Sequence, residues 1–251
     1  MRKIVITGAA GLIGTVIERG FRDRYEIVGI DRAPRRGTNV RRLDLSRPRA
    51  FASLFSGAEA VIDLAARPSD RTPWSDVWRN NLPATMNALE AARRGGVQRI
   101  IFASSNHVTG MYERDPPYSS IVAGAYAGLD PTATPLIART WPVRPDGAYA
   151  LGKVLGEAAA RHYADAYGLS AVCLRIGTVN ALNRPLEPRH YATLLTHHDL
   201  VRLVEAALAA PDDLAYGIYY GVSDNKWRFW DIADAREELG YEPRDTAEAF
   251  R

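Results

Sequence analysis

Short apolar runs alternate with longer stretches of helical period from the first residues onward. Ile4-Val5-Ile6, Ile27-Val28-Gly29-Ile30, Ala60-Val61-Ile62-Asp63-Leu64, Ile100-Ile101-Phe102-Ala103 and Ala171-Val172-Cys173-Leu174-Arg175-Ile176 have the pattern of strands covered on both faces. Between them the spacing predicts helices near 11–21, 47–56, 74–94 and 147–167. This β-α-β-α order predicts an α/β fold with a doubly wound parallel sheet, right-handed crossovers and chemistry at the carboxyl ends of the strands. Pro116, Pro117, Pro131, Pro135, Pro142 and Pro145 punctuate 111–146, which has little periodicity and reads as a long irregular segment. After residue 177 comes another irregular stretch, then a helix near 198–209, a strand near 217–221 and a helix near 231–239. No repeat, low-complexity tract or Ser/Gly-rich linker divides the chain.

Composition adds bounds. At 251 residues, 47% hydrophobic and 24% charged, the sequence is that of a globular domain rather than a disordered or fibrous one. It contains no apolar stretch of membrane-spanning length, and its N-terminus reaches a Gly-rich turn too early for a signal-peptide core. A soluble cytoplasmic protein with no membrane partner is expected. Cys173, the single cysteine, sits between Val172 and Leu174 and reads as a buried structural residue. A net charge of +3 is too small to imply nucleic acid, and the arginines form no stripe. Lysine occurs only at Lys3, Lys153 and Lys226, so each one stands out.

The segment Thr7-Gly8-Ala9-Ala10-Gly11-Leu12-Ile13-Gly14 lies between the first strand and the first helix. Glycines at 8, 11 and 14 permit a tight turn, close backbone approach to a pyrophosphate and close helix packing. The helix N-terminus then offers free N–H groups to negative charge. This makes the sheet a Rossmann-type dinucleotide fold. The second strand ends at Asp31, where a carboxylate accepts from the adenosine ribose hydroxyls and repels a 2′-phosphate, so NAD is the expected cofactor. Arg32, Arg35 and Arg36 follow and leave NADP open as a lesser outcome. Asp44-Leu45 ends the third candidate strand; contact with adenine and helix capping by Asp44 are both compatible with that position.

Tyr149 and Lys153 are four residues apart at the start of a helix and so share a face, where an ammonium can lower the phenol pKa and hold a ribose. The strand before them ends Ser104-Ser105-Asn106-His107, which supplies a hydroxyl near a reacting oxygen. His/Cys/Asp clusters with metal-ligand spacing are absent, and no metal is expected.

With its glycine motif, Asp31, Asp63-Leu64-Ala65-Ala66, Asn81 and Tyr-x-x-x-Lys in order, the chain resembles the extended short-chain dehydrogenase/reductase family over nearly its whole length. Phe102-Ala103-Ser104-Ser105-Asn106-His107, Arg144-Pro145-Asp146-Gly147-Ala148-Tyr149, Leu174-Arg175-Ile176-Gly177, His198-Asp199 and Ala247-Glu248-Ala249-Phe250 look like uronate dehydrogenases in particular. Pro73 to Asn81 and Tyr220 to Asn225 also resemble the related archaeal NAD-dependent glucose-6-phosphate dehydrogenases.

The resemblance implies Tyr149 as base, Lys153 as its electrostatic partner and Ser105 as the hydroxyl that orients the reacting oxygen. It implies cofactor contacts from Gly8, Ala10, Gly11, Leu12, Ile13, Gly14, Asp31, Arg32, Asp44, Leu45, Leu64, Ala65, Ala66, Asn81, Tyr149, Lys153 and Ile176. Sugar contacts carried over are Ser69, Ser105, Asn106, His107, Tyr149, Thr178 and Arg189, the arginine as the guanidinium an anionic sugar requires. The implied reaction is NAD-dependent oxidation of the C1 hemiacetal of a hexuronate to its aldarolactone, or of glucose 6-phosphate.

Residues 1–251 thus read as a single domain, 1–176 mainly dinucleotide-binding and 177–251 mainly a substrate cap plus closing strand and helix. Family resemblance further implies a homo-oligomer, commonly through the helices near 74–94 and 147–167. Three alternatives remain: a nucleotide-sugar epimerase or dehydratase, against which the small cap weighs; a dinucleotide-sensing regulator, in which the Tyr or Lys would be expected to be lost; and a nucleic-acid surface. The 111–146 segment is longer than in uronate dehydrogenases; it covers the sugar, builds an oligomer contact through Tyr118, Tyr126 and Trp141, or is a surface excursion.

Overall fold

A computed structural model of the chain describes residues 1–34, 37–47, 52–69 and 71–251. Arg35 and Arg36 therefore lie outside the described residues, as does part of the helix expected at 47–56. The elements run β1 (Arg2–Thr7), α1 (Leu12–Phe21), β2 (Tyr25–Asp31), β3 (Arg41–Arg42), α2 (Ala52–Phe55), β4 (Ala60–Asp63) and α3 (Trp74–Asp76). A π turn at Val77–Asn81 carries α3 into α4 (Leu82–Arg94). Next come β5 (Arg99–Ser105), a 3-10 segment (Asn106–Arg114), α5 (Tyr118–Val122), α6 (Ala148–Tyr167), β6 (Ser170–Ile176) and α7 (His190–Thr193). The chain finishes with α8 (His197–Leu208), β7 (Tyr216–Gly221), α9 (Ala233–Leu239) and a 3-10 turn (Ala247–Phe250).

Among the described residues the seven strands are all parallel, in the order β3-β2-β1-β4-β5-β6-β7. The order reverses at β1, so the crevice between the ends of β1 and β4 is where a doubly wound sheet takes its ligand. Alternate side chains of β1, β4, β5 and β6 enter different cores. Ile4, Ile6, Ile62, Ile101, Val172 and Leu174 pack under α1, α8 and α9. Val5, Val61, Ile100, Phe102, Ala171 and Cys173 pack under α2, α4 and α6. This explains why the strands lack polar alternation.

The segment 111–146 is more ordered than its proline content implies. It contributes the end of the 3-10 segment and α5, and Tyr118, Ile121 and Ile137 join Tyr220, Phe229, Trp230 and Ile232 in a third core. Tyr118 packs on Phe229 at 5.2 Å, Tyr126 stacks on Trp227 at 4.3 Å, and Trp141 meets Tyr112 at 5.3 Å. The segment is therefore more than a surface excursion: Tyr118 is buried against Phe229, and Tyr126 and Trp141 are half-buried against Trp227 and Tyr112. Proline prevents regular pairing without preventing packing.

Behind the sheet ends, Glu157 of α6 accepts two hydrogen bonds from Arg175 of β6, each 3.0 Å, and one of 2.5 Å from Ser104. Arg175 also donates to the Tyr220 hydroxyl at 3.0 Å, which bonds Thr109 Oγ1 at 2.9 Å. The pair is buried, and each charge is tolerable only with the other. Arg175→Ala should lower unfolding stability by about 3–5 kcal/mol in urea titrations, while Glu157→Leu combined with Arg175→Met should recover most of that loss. A small loss in the single variant would show that the pair does not hold the sheet to α6.

Candidate active site

Thr7 ends β1 and leads into a turn built by glycine. Gly8 has φ +66°, and a Cβ there would lie 2.8 Å from the Leu64 carbonyl oxygen. At Gly14 a Cβ would come within 2.6 Å of the Gly8 carbonyl oxygen, so α1 could not approach the turn. The first turn of α1 has Gly11 as its N-cap and no side-chain cap, which leaves its N–H groups for an anion. A brace that was not apparent from the sequence fixes the adjoining strand end. Thr7 Oγ1 donates to Asp63 Oδ1 at 2.5 Å and accepts from the Leu64 and Ala65 N–H groups. Thr7 and Asp63 are register partners on β1 and β4, a pairing with no local spacing to announce it.

Two adjoining cavities open along these strand ends, and every site residue expected from the sequence borders one of them. The first, about 270 Å³, is lined by Ala10, Asp31, Arg32, Asp44, Leu45, Ala65 and Asn81. Asp31 accepts from Ala10 N–H at 3.1 Å and Ala33 N–H at 2.8 Å, which aims a carboxylate held by the loop into the cavity. Asp44 accepts from the Ser46 N–H and hydroxyl, closing its own turn. Asn81 brackets the Arg67 backbone, accepting from its N–H at 2.9 Å and donating to its carbonyl.

Gly8, Gly11, Asp31 and Ala66 are shared with the second cavity, of about 700 Å³. It is lined by Leu12, Ile13, Gly14, Leu64 and Ile176, by Ser69, Asn106, His107, Thr178 and Arg189, and by Ser105, Tyr149 and Lys153. The glycine cradle, the uncapped helix and the Asp31 carboxylate fit a dinucleotide. Asn106 adds a buried amide nitrogen with no hydrogen-bond partner among the described residues.

Tyr149 and Lys153 do share one face of α6, yet the phenol departs from the simple expectation. Burial pushes Tyr149 up to about 12, opposed by its hydrogen bond with Ser105 and reinforced by the charge of Asp146. Lys153 does not offset this. Its Nζ donates to the Ala103 carbonyl at 2.5 Å, lies 4.7 Å from the Phe102 ring centre and is 5.7 Å from that of Tyr149. Burial brings Lys153 down to about 8, against the pull of Asp63 and Glu157. The expected lowering of the phenol pKa is thus reversed in the protein by itself, because desolvation outweighs an ammonium held over the ring face.

Among the other lining residues, His107 Nδ1 meets Asp146 Oδ2 at 2.6 Å, and Thr178 Oγ1 meets Thr193 Oγ1 at 2.7 Å. Arg189 is not a free cation. Its Nε and Nη2 donate to the two carboxylate oxygens of Glu113 at 2.6 and 2.7 Å, and its Nη1 donates to Thr178 Oγ1 at 3.2 Å. Burial works against its charge, but Glu113 outweighs burial and raises its pKa. Glu113 lies in the segment the sequence left irregular, and nothing in that pattern marks it out. Among the described residues no group of three or more His, Cys, Asp or Glu is placed to hold a metal ion.

Comparisons with known proteins agree with this geometry. Residues 4–234 match the model of the NAD dependent epimerase/dehydratase family. The uronate dehydrogenase of Pseudomonas syringae pv. tomato is 35% identical, covering 99% of this chain and 84% of that protein. The NAD-dependent glucose-6-phosphate dehydrogenase of Haloferax volcanii is 33% identical, covering 98% and 95%. A solved variant of the Agrobacterium tumefaciens uronate dehydrogenase, complexed with NAD, superposes with a TM-score of 0.82 at 29% identity, covering 100% of this chain and 88% of that one. With the dinucleotide cradle and the Tyr–Lys pair in place, the chain belongs to the NAD dependent epimerase/dehydratase family and is an NAD-dependent oxidoreductase acting on a CH–OH group.

Proposed function

We propose that the protein oxidises the C1 hemiacetal of an anionic aldose, a hexuronate such as glucuronate or galacturonate, to its aldarolactone. The observation that carries this reading is that one cavity is bordered by Tyr149, Ser105 and Arg189 together. A sugar whose C1 hydroxyl meets the phenol can direct an anionic group toward a guanidinium. Glucose 6-phosphate is the second reading, favoured by the Haloferax volcanii relative.

NAD, when bound, supplies the hydride acceptor and a positive charge. The chain's own part is to hold the sugar and move the proton. Tyr149, as phenolate, takes the proton from the C1 hydroxyl, and Ser105 donates to the oxygen that becomes a carbonyl. The charge of bound NAD would add to that of Lys153 to favour the phenolate, which Lys153 alone does not achieve, while the buried setting keeps competing water away. Asn106, His107, Thr178 and Ser69 supply hydroxyl contacts. Gly8 to Gly14, Asp31, Arg32, Asp44, Leu45, Leu64 to Ala66, Asn81 and Ile176 serve the dinucleotide.

A homo-oligomer fits the same reading. Trp74 and Trp78 of the α3–α4 helix pair and Leu151 and Leu155 of α6 are large apolar side chains left exposed, with Trp78 at 62%. Trp78→Glu should shift the mass seen by light scattering toward a smaller species; an unchanged mass would place any interface elsewhere.

Tyr149→Phe should bind NAD normally in fluorescence titrations and lose turnover by about 10²–10⁴-fold; an unchanged rate would remove Tyr149 as the base. The substrate is tested by following NADH with glucuronate, galacturonate, glucose 6-phosphate, glucose and UDP-glucose in parallel. Arg189→Ala should raise KM for the anionic sugar about tenfold or more and leave KM for glucose near its wild-type value. Equal effects on both sugars would show that Arg189 does not read the anion.

A further inference from the structure

An arginine lining a ligand cavity has two bidentate edges, one made by Nε–H with an Nη–H and the other by the two terminal nitrogens. In Arg189 the first edge is fully engaged by Glu113, whose two oxygens accept from Nε at 2.6 Å and Nη2 at 2.7 Å. The terminal nitrogen Nη1 points the other way, to Thr178 Oγ1 at 3.2 Å. Thr178 and Arg189 line the cavity, whereas Glu113, which holds Arg189, is not among its lining residues.

Both partners are largely buried, with side-chain exposures of 20% for Arg189 and 13% for Glu113, so the pair is shielded from competition by solvent. Glu113 is itself held firmly. The backbone of its 3-10 segment exchanges hydrogen bonds with Arg144, Met111 N–H donating to the Arg144 carbonyl and Arg144 N–H to that of Val108. Tyr112 hydroxyl donates to the Pro142 carbonyl, and Thr109 is tied to Tyr220. Two other carboxylates, Asp146 and Glu187, also act on Arg189. Removing Glu113 would leave a buried cation free to turn toward either of them.

We propose that Glu113 is a positioning residue for substrate recognition: it grips the inner edge of Arg189 so that the outer edge faces the sugar cavity. The proposal rests on the reading of this cavity as a sugar site and adds to it the residue that orients its guanidinium. An arginine already ordered in the empty site loses little side-chain entropy on binding, so the gain appears in affinity rather than in the chemical step. The same carboxylate offsets the charge of the guanidinium, which places recognition on the geometry of the free N–H groups rather than on net charge.

The test is a double-mutant cycle on the full-length protein with saturating NAD. KM and kcat for D-glucuronate are measured in wild type, Glu113→Ala, Arg189→Ala and the double variant. Glu113→Ala should raise KM about tenfold with kcat within about twofold of wild type, and it should add nothing once Arg189 is already alanine. Glu113→Gln keeps one acceptor oxygen and should recover part of the affinity; it also carries the cycle if the alanine variant fails to fold. A fall in KM would overturn the proposal by showing Glu113 to be a competitor of the substrate anion. A rise of equal size in the Arg189→Ala background would also overturn it, since the effect would then be structural. A wild type that oxidises no uronate rejects the substrate reading and this proposal with it, an outcome separate from the other two because the wild-type rate alone reveals it.

Discussion

The Arg175 guanidinium is only 1% exposed, in the interior of a parallel sheet, and it can stay charged there because Glu157 supplies both carboxylate oxygens. The long-range geometry of the cavity wall that carries Tyr149, Lys153 and Ser105 depends on this pair. Glu157 lies one helical turn beyond Lys153 on α6 and two beyond Tyr149, so anchoring it to β6 sets the height of that helix over the sheet. Through Tyr220 the same guanidinium reaches β7, and through Thr109 it reaches the segment that follows Ser105. One buried ion pair thus ties together α6, β6, β7 and the segment that follows Ser105. Such a pair adds less to stability than to specificity of arrangement, since an apolar replacement would pack without choosing a register.

Around that anchor the protein sets charges against burial. Lys153 is brought down to about 8 by loss of water, and Tyr149 is pushed up to about 12 by the same cause. The protonation of such a phenol is therefore sensitive to any charge brought into the cavity, and NAD brings one. The far wall is built differently. Arg189, Glu113, His107 and Asp146 form two neighbouring ion or hydrogen-bonded pairs, which present donors and acceptors at fixed positions.

Most of the secondary structure was legible because it is written in local periodicity. Strands buried on both faces and helices with one apolar stripe leave patterns that need no knowledge of neighbours, and β1, β5, α4 and α6 emerge close to where the spacing put them. The dinucleotide turn was legible for the same reason, since eight consecutive residues carry it. Tyr149 and Lys153 were visible as a pair because four residues is one helical turn. The segment 111–146 was misread because its order comes from Trp227, Phe229 and Trp230, about a hundred residues further along.

What the sequence by itself determined is the set of elements, their order and the chemical types gathered at the strand ends, because these follow from contacts within a few residues. Tertiary structure alone decided who pairs with whom. Thr7 with Asp63, Ser104 with Glu157, Arg175 with Tyr220 and Arg189 with Glu113 join residues 45 to 76 apart, and no spacing rule links them. It also decided the state of Tyr149, since a phenol's acidity depends on how much water and which charges surround it, and those are fixed only when the chain is packed.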